Sequence, residues 1–139
     1  MEGLGILAEG EHFAVDVTLV QKVVRNIEYT PLPAAPGAVA GIANIKGGIV
    51  TLLSLSELLG RGRNANAAHA VVFKPMTNGN DQMGLLIDKP DKLISIIESD
   101  IVAPNKSEDD EGIFFISGLA EIGERLYKII NIGLLLNYK

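Results

Sequence analysis

No apolar stretch of this chain runs for long. Leu4–Ala8, Phe13–Val15, Ala70–Phe73, Met83–Ile87 and Leu93–Ile97 are each ended within a few residues by Gly, Pro, Asn, Asp or Glu. Val20, Val23, Val24 and Ile27 follow the i, i+3, i+4, i+7 spacing of a helix face. Those residues are β-branched, which favours a strand. The segment therefore reads as one or two helical turns over Val17–Gln21, capped by Asp16, and then a strand toward Tyr29. Short runs recurring at spacings of roughly 8 to 14 residues predict about nine or ten strands in an all-β barrel or sandwich. No repeat of roughly 20 to 50 residues is apparent.

The most informative segment is Gly41–Leu55, which reads as two apolar strands joined at Gly47-Gly48. Both glycines tolerate positive φ, as a two-residue type I′ loop requires. Asn44 and Lys46 interrupt the apolar run just before the turn. Two readings fit them: protection of an exposed edge, or contact with a partner.

The rest of the chain supplies turns and short caps. Thr30–Gly37 is an ordered extended connection punctuated by proline. Ser54 or Ser56 caps a single helical turn through Leu58-Leu59, stopped by Gly60. Arg61–Ala68 is the boundary between lobes suggested by composition, near 60–69. Asn78-Gly79 and Asp88–Asp91 read as turns. Residues 107–112 form an acidic loop without the ligand spacing of a calcium site. A last hairpin pairs Ile113–Glu121 with Leu126–Ile132 around Gly123-Glu124. Asn131 then caps a short helix whose Leu134-Leu135-Leu136 is expected to be buried.

At 139 residues the chain suits one domain or two small lobes sharing a core. Hydrophobic residues make up 47% but aromatics only 5%, so the core must be aliphatic. With no Cys there are no disulfides, thiolate metal sites or cysteine nucleophiles. The net charge is −5 and the 12 basic residues are scattered, which argues against nucleic acid and against an anionic membrane. Met1-Glu2-Gly3 lacks a cationic signal region, and no apolar run reaches about 18 residues, so no membrane insertion is expected.

Motifs of chemistry are missing as well. His12 and His69 are far apart, and neither has a partner at metal-ligand spacing. No Gly-x-Ser-x-Gly elbow or Gly-Lys-Ser/Thr phosphate loop occurs. Gly3-x-Gly5-x-x-Ala8 lacks the preceding strand and following helix of a dinucleotide site. Asn105-Lys106-Ser107 is a glycosylation sequon only by spelling. No catalytic residue, metal or cofactor is assigned, and the expectation is a binding protein rather than an enzyme.

The order of segments resembles the CheW-like domains of bacterial chemosensory systems. Gly41-Ile42-Ala43-Asn44-Ile45-Lys46-Gly47 is similar to the family's apolar hairpin with its Asn-Leu-Arg-Gly motif. Phe13-Ala14-Val15-Asp16 with Val20-Gln21, Thr30-Pro31-Leu32-Pro33 with Pro36, Gly84–Asp88, Ile116–Leu119 and Ile130–Ile132 resemble further family segments in the same order. The likeness runs from about Leu4 to Asn137, and its wording is closest to the branch serving type IV pilus twitching.

The resemblance implies two intertwined five-stranded SH3-like barrels around a shared core. It implies a cytoplasmic adaptor, recruited to membrane receptor arrays, that joins the chemoreceptor tip to the regulatory domain of a CheA-type histidine kinase. Carried over by motif, Asn44, Lys46 and Gly47 contact the receptor, with Val71 and Val72 on a strand beside that groove. Val20 and Lys22 fall on the segment associated with the kinase or another partner. Lys46 stands where the family usually has Arg, so a bidentate fork is lost. Lys22 stands where Glu is frequent, which reverses a charge that sets partner choice. Ser54 and Thr51 replace a usual Asp and Pro. The alternative is a β-barrel module of another class, such as an oligonucleotide-binding barrel, which needs surface aromatics and a basic groove.

Overall fold

The computed structural model describes residues 1–33, 37–62, 67–75, 82–103 and 114–136. Within them the strands are β1 (Glu2–Ala8), β2 (Glu11–Asp16), β3 (Val20–Val24), β4 (Thr30–Pro31), β5 (Val39–Ile45), β6 (Gly48–Ser54), β7 (His69–Phe73), β8 (Gln82–Ile87), β9 (Lys89–Ser95), β10 (Ile101–Val102), β11 (Ile116–Ile122) and β12 (Arg125–Ile130). Two short helices, α1 (Leu55–Leu58) and α2 (Ile132–Leu136), follow β6 and β12.

The strands form two six-stranded sheets, ordered β10-β11-β12-β2-β1-β9 and β3-β7-β8-β6-β5-β4. In each, five longer strands are flanked by one of only two residues, β10 or β4. Both sheets must curl. Their outer strands are consecutive in the chain, Val24 to Thr30 in one and Ser95 to Ile101 in the other. A flat six-stranded sheet separates its edges by about 24 Å. Six fully extended residue steps reach at most about 22 Å. Both connections also bend, one at Asn26 with φ 51° and one through the 3-10 turn Glu98–Asp100. The result is the two-barrel architecture that the resemblance implies, each set of five strands extended by a two-residue sixth.

The lobes are interwoven in the chain. All of β3–β8 lies in the second sheet, while the first combines β1–β2 with β9–β12. The chain crosses between them at the 3-10 turn Val17–Leu19 and at Asp88. Asp16 caps the first crossing, its Oδ1 accepting from the Thr18 amide at 3.0 Å and the Thr18 hydroxyl at 2.8 Å. Composition points to 60–69 as the lobe boundary. That segment instead joins α1 to β7 inside the second lobe, with 63–66 outside the described residues. Its described residues 60–62 are exposed.

Three apolar clusters hold the fold. Leu4, Ile6 and Phe13 of the first sheet pack with Leu53, Phe73 and Leu85 of the second in a shared core. Each barrel also has its own interior: Ala40, Ala43, Val50, Leu52, Ala70, Val72 and Leu86 in one, and Ala14, Ile94, Ile96, Ala120, Tyr127 and Ile129 in the other. Ala70–Phe73 is therefore covered on both faces, which explains an unbroken apolar run where a half-exposed strand would alternate. Glu11 ties the lobes at the surface. Its carboxylate pairs with Arg61 at 2.7 Å, just beyond α1, and with Lys128 of β12 at 2.7 Å.

The lobes repeat one another, although the sequence shows no repeat. The hairpin β5–β6 is followed by α1, and β11–β12 by α2, at one constant offset. Val39 pairs with Leu53 as Ile116 pairs with Ile130, and each hairpin then has a register shift. The Ser54 amide donates to Ala38 O at 2.8 Å, and the Asn131 amide to Phe115 O at 2.7 Å. Ser54 Oγ then caps α1 through the Glu57 amide, and Asn131 Oδ1 caps α2 through the Leu134 amide, both at 3.2 Å. Parallel pairing of β6 with β8 matches that of β12 with β2. Antiparallel β3–β7 matches β9–β1, each with a shift near the start of its first strand.

Three expectations change. Asp88–Asp91 is no turn: β9 begins at Lys89, and Pro90 pairs with Ile6. An edge strand tolerates Pro, because one side of its backbone needs no ladder partner. Leu135 is buried as expected of the last helix, but Leu134 is 40% exposed. Strand β11 starts at Ile116. The Asn78-Gly79 turn, the acidic run 107–112 and the sequon 105–107 lie outside the described residues.

Candidate functional site

Strand directions bring the candidate residues to one end of the second lobe. β6 runs parallel to β8, β7 antiparallel to β8, and β3 antiparallel to β7. The starts of β3, β6 and β8 and the ends of β5 and β7 therefore lie at the same end. Val20–Lys22, Gln82 and the Asn44–Ile49 hairpin tip meet there.

The hairpin turns at Lys46-Gly47, one residue earlier than expected, because Ile45 pairs with Gly48. Lys46 has φ 51° and Gly47 φ 83°, the two positive values of a type I′ turn. Gly48 is an ordinary strand residue. Asn44 Oδ1 accepts a hydrogen bond from the Gly47 amide at 3.0 Å and so closes the turn from within. Asn44 is thus partly structural, and it fixes the direction in which the tip projects. Lys46 occupies the tip, exposed, in a conformation that costs a non-Gly residue about 1–2 kcal/mol.

Beside the tip lies an exposed apolar residue that the sequence did not single out. Ile49 pairs directly with Asn44, so the two side chains share a face, and Ile49 is 53% exposed. Alternation from buried Val50 and Leu52 puts Ile49 outward once the register is known. Gln82 was also missed. Its Nε2 donates to Gln21 Oε1 at 2.7 Å and to Phe73 O at 3.3 Å. A Cβ added to Gly48 would lie 3.8 Å from Gln82 Oε1. Gln82 therefore spans from the hairpin to β3. A glutamine after a loop carries no signal that would reveal this.

The other candidates divide. Val20, opposite Phe73, and Lys22, opposite Val72, are half-buried at the start of β3. Val71 and Val72 have no exposed surface. Neighbours on a strand point to opposite faces. Val71 enters the shared core and Val72 the barrel interior. Neither side chain reaches the surface, so the expectation that they contact a receptor is corrected: both are core residues.

Among the described residues no group of three or more His, Cys, Asp or Glu is placed to hold a metal ion. The ion pairs among them are Arg61–Glu11, Arg125–Asp91 and Lys128–Glu11, so neither the tip cation Lys46 nor Lys22 has a carboxylate partner there. The site is thus an exposed cation and an exposed isoleucine at a hydrogen-bonded turn, with a second cation on β3 at the same end of the lobe. It offers charge and shape to a protein surface. No helix among the described residues is long and apolar enough to cross a membrane.

Known proteins resemble this chain in sequence and fold. The family model described as the CheW-like domain matches residues 2–139. A protein named chemotaxis protein CheW, from Helicobacter pylori, is 26% identical over 137 residues, covering 95% of this chain and 79% of its own. One of the same name from Treponema pallidum is 22% identical over 132 residues, covering 93% and 78%. The crystal structure of the scaffolding protein TtCheW from Thermoanaerobacter tengcongensis superposes with a TM-score of 0.78 at 22% identity, covering 93% of this chain and 82% of that one. With the family model matching nearly every residue, the chain belongs to the CheW-like domain family.

Proposed function

We propose that this protein is a non-enzymatic adaptor. It couples the cytoplasmic tip of chemoreceptors to the regulatory domain of a CheA-type histidine kinase, in chemotaxis or in type IV pilus motility. The observation that carries the reading is the turn at Lys46-Gly47, closed by Asn44 and flanked by exposed Ile49. It supports the reading because a fixed turn presents charge and apolar surface without ordering anything on binding, which limits the entropic cost of association. The relatives' names, chemotaxis protein and scaffolding protein, support it from another side.

In this reading Asn44, Lys46, Gly47 and Ile49 meet the receptor tip. Val20 and Lys22, on β3, meet the kinase side. Val71 and Val72 belong to the core. The adaptor works in the cytoplasm, where receptor arrays recruit it to the membrane.

The test is titration of the protein against a receptor-tip helical hairpin and against a kinase regulatory domain. The wild type binds both. Lys46→Glu weakens receptor binding about tenfold and leaves the melting curve nearly unchanged, because the side chain faces solvent. Failure to bind either partner at high concentration sinks the adaptor reading. A large drop in melting temperature with binding intact would make Lys46 structural.

A further inference from the structure

The seams that close the two barrels are equivalent in place and unequal in strength. Each is a parallel pairing, β12 with β2 in the first lobe and β6 with β8 in the second. The registers set the same positions opposite one another. Tyr127 faces His12 as Val50 faces Gln82, Lys128 faces Phe13 as Thr51 faces Met83, and Ile129 faces Ala14 as Leu52 faces Gly84. There the first seam stops, while the second continues through Leu53–Leu85 and Ser54–Leu86. The pairs missing from the first would join Ile130 to Val15 and Asn131 to Asp16. β2 ends at Asp16, which caps the crossing to the second lobe, whereas β8 runs on to Ile87.

One position within the shared part differs as well. Gln82 donates to Gln21 Oε1 and to Phe73 O. Its counterpart His12 has its Nδ1 buried with no hydrogen-bond partner among the described residues. The His12 ring meets Tyr127 in a T-shaped contact, 5.9 Å between centroids. A buried polar atom left unpaired weakens the contact that buries it.

What the first seam has instead is an ion pair at its end. Glu11, the first residue of β2, accepts from Lys128 Nζ through Oε1 at 2.7 Å. Lys128 Nζ also lies 5.9 Å from the centre of the Phe13 ring. The other carboxylate oxygen, Oε2, is held at 2.7 Å by Arg61, beyond α1 in the second lobe. The segment that Lys128 belongs to is well paired internally: β11 and β12 share six residue pairs, and Asn131 caps α2.

We propose that β11, β12 and α2 form a latched flap. The unit separates from β2 in one piece while the second lobe stays folded, and the Glu11–Lys128 pair is the latch. Opening takes Ile116, Ile130, Ile132 and Leu135 out of the shared core, so the open form is a minor population. That population grows with salt, because the latch is a partly exposed ion pair. Arg61 stays with Glu11 when the flap leaves, since both belong to the part left behind.

Native-state hydrogen exchange of the whole chain, across a series of low urea concentrations, reads the opening. Amides of β11, β12 and α2 should exchange through one shared opening. Its urea dependence should be smaller than that of β6, β7 and β8, which wait for global unfolding. Lys128→Gln and Glu11→Gln should each speed flap exchange about two- to fivefold, and the double variant should add little to either. Arg61→Gln should speed it by less. Raising NaCl from about 50 to 500 mM should speed it in the wild type and not in Lys128→Gln.

Exchange of β11, β12 and α2 along the same urea curve as β8 overturns the proposal, and the wild type alone suffices to show it. Earlier opening of β6 and β8 than of β12 overturns it as well. So does a separate flap opening that Lys128→Gln and Glu11→Gln leave unchanged while both lower global stability, because the pair would then persist in the open form and could not be its latch.

Discussion

Gly41 passes so close to Thr30 that a Cβ added to it would overlap the Thr30 carbonyl oxygen and lie 2.7 Å from Tyr29 Cδ2. Gly118 is its counterpart in the other lobe, where the added Cβ would lie 2.5 Å from Ile101 Cγ2. In both lobes a two-residue strand presses against the middle of a hairpin strand, and only glycine leaves room. The obstacles differ, though: backbone in one lobe, a side-chain methyl in the other.

Gly41→Ala should therefore cost more than Gly118→Ala. Backbone cannot rotate away, so Gly41→Ala is expected near or above the upper end of the roughly 1–3 kcal/mol typical of overpacking, and Gly118→Ala near the lower end. Denaturant unfolding of both variants checks the order. In an Ile101→Ala background Gly118→Ala should cost less than in the wild type, since the obstructing methyl is gone. Equal costs with and without Ile101 would show that strand β10 moves instead.

The turn gives a graded series. Gly47→Val should lower the melting temperature by several degrees, because a β-branched residue at φ 83° is strained. Gly48→Ala should be nearly silent: the added Cβ meets only Ile45 O at 3.5 Å and Gln82 Oε1 at 3.8 Å, both ordinary contacts. Lys46→Asn should raise the melting temperature by about 2–3 °C, since Asn favours type I′ turns and relieves roughly 0.5–1 kcal/mol of strain. The same variant should lose receptor affinity, so stability and coupling would move in opposite directions at one position. Thermal melts beside titrations read both.

Val71→Ala and Val72→Ala should each destabilise by roughly 1–3 kcal/mol, the loss of two methyls plus a cavity. Affinity measured on the folded fraction should not change. Weaker binding at wild-type stability would return these valines to the contact surface.

Glu11→Gln removes both ion pairs of one carboxylate while keeping its shape. The pairs with Arg61 and Lys128 are partly exposed, so the loss should be about 1 kcal/mol or less and should shrink as salt is added. Urea titrations at low and high salt measure it.

Much of the architecture was legible in the sequence because turns and caps act locally. Asp16, Ser54 and Asn131 cap the elements that their spelling announces, and Gly123 bends the last hairpin. The β5–β6 hairpin was legible, but its turning residues were not. Lys46-Gly47 and Gly47-Gly48 are both plausible centres in isolation. The choice is made by which register buries Val50 and Leu52, together with the Asn44–Gly47 hydrogen bond. Pro90 reads as part of a turn because Pro marks turns and edge strands alike. The burial of Val71 and Val72 is not legible because nothing local says that a strand is covered on both faces. The repeat escaped notice because its equivalences are physical: Ser54 and Asn131 cap, and Gly123 and Lys46 open turns, with different side chains. Ile49 and Gln82 belong to the site only through pairings made across the sheet.

The interweaving of the lobes also sets the order in which the protein can be built. As the chain leaves the ribosome, β1 and β2 appear first, yet their outer neighbours β9 and β12 are made only after the whole β3–β8 lobe. That lobe can close while synthesis continues. The β1–β2 hairpin must wait with two apolar edges unpaired until β9 and β12 arrive, so it is secured only after the lobe that follows it in the chain.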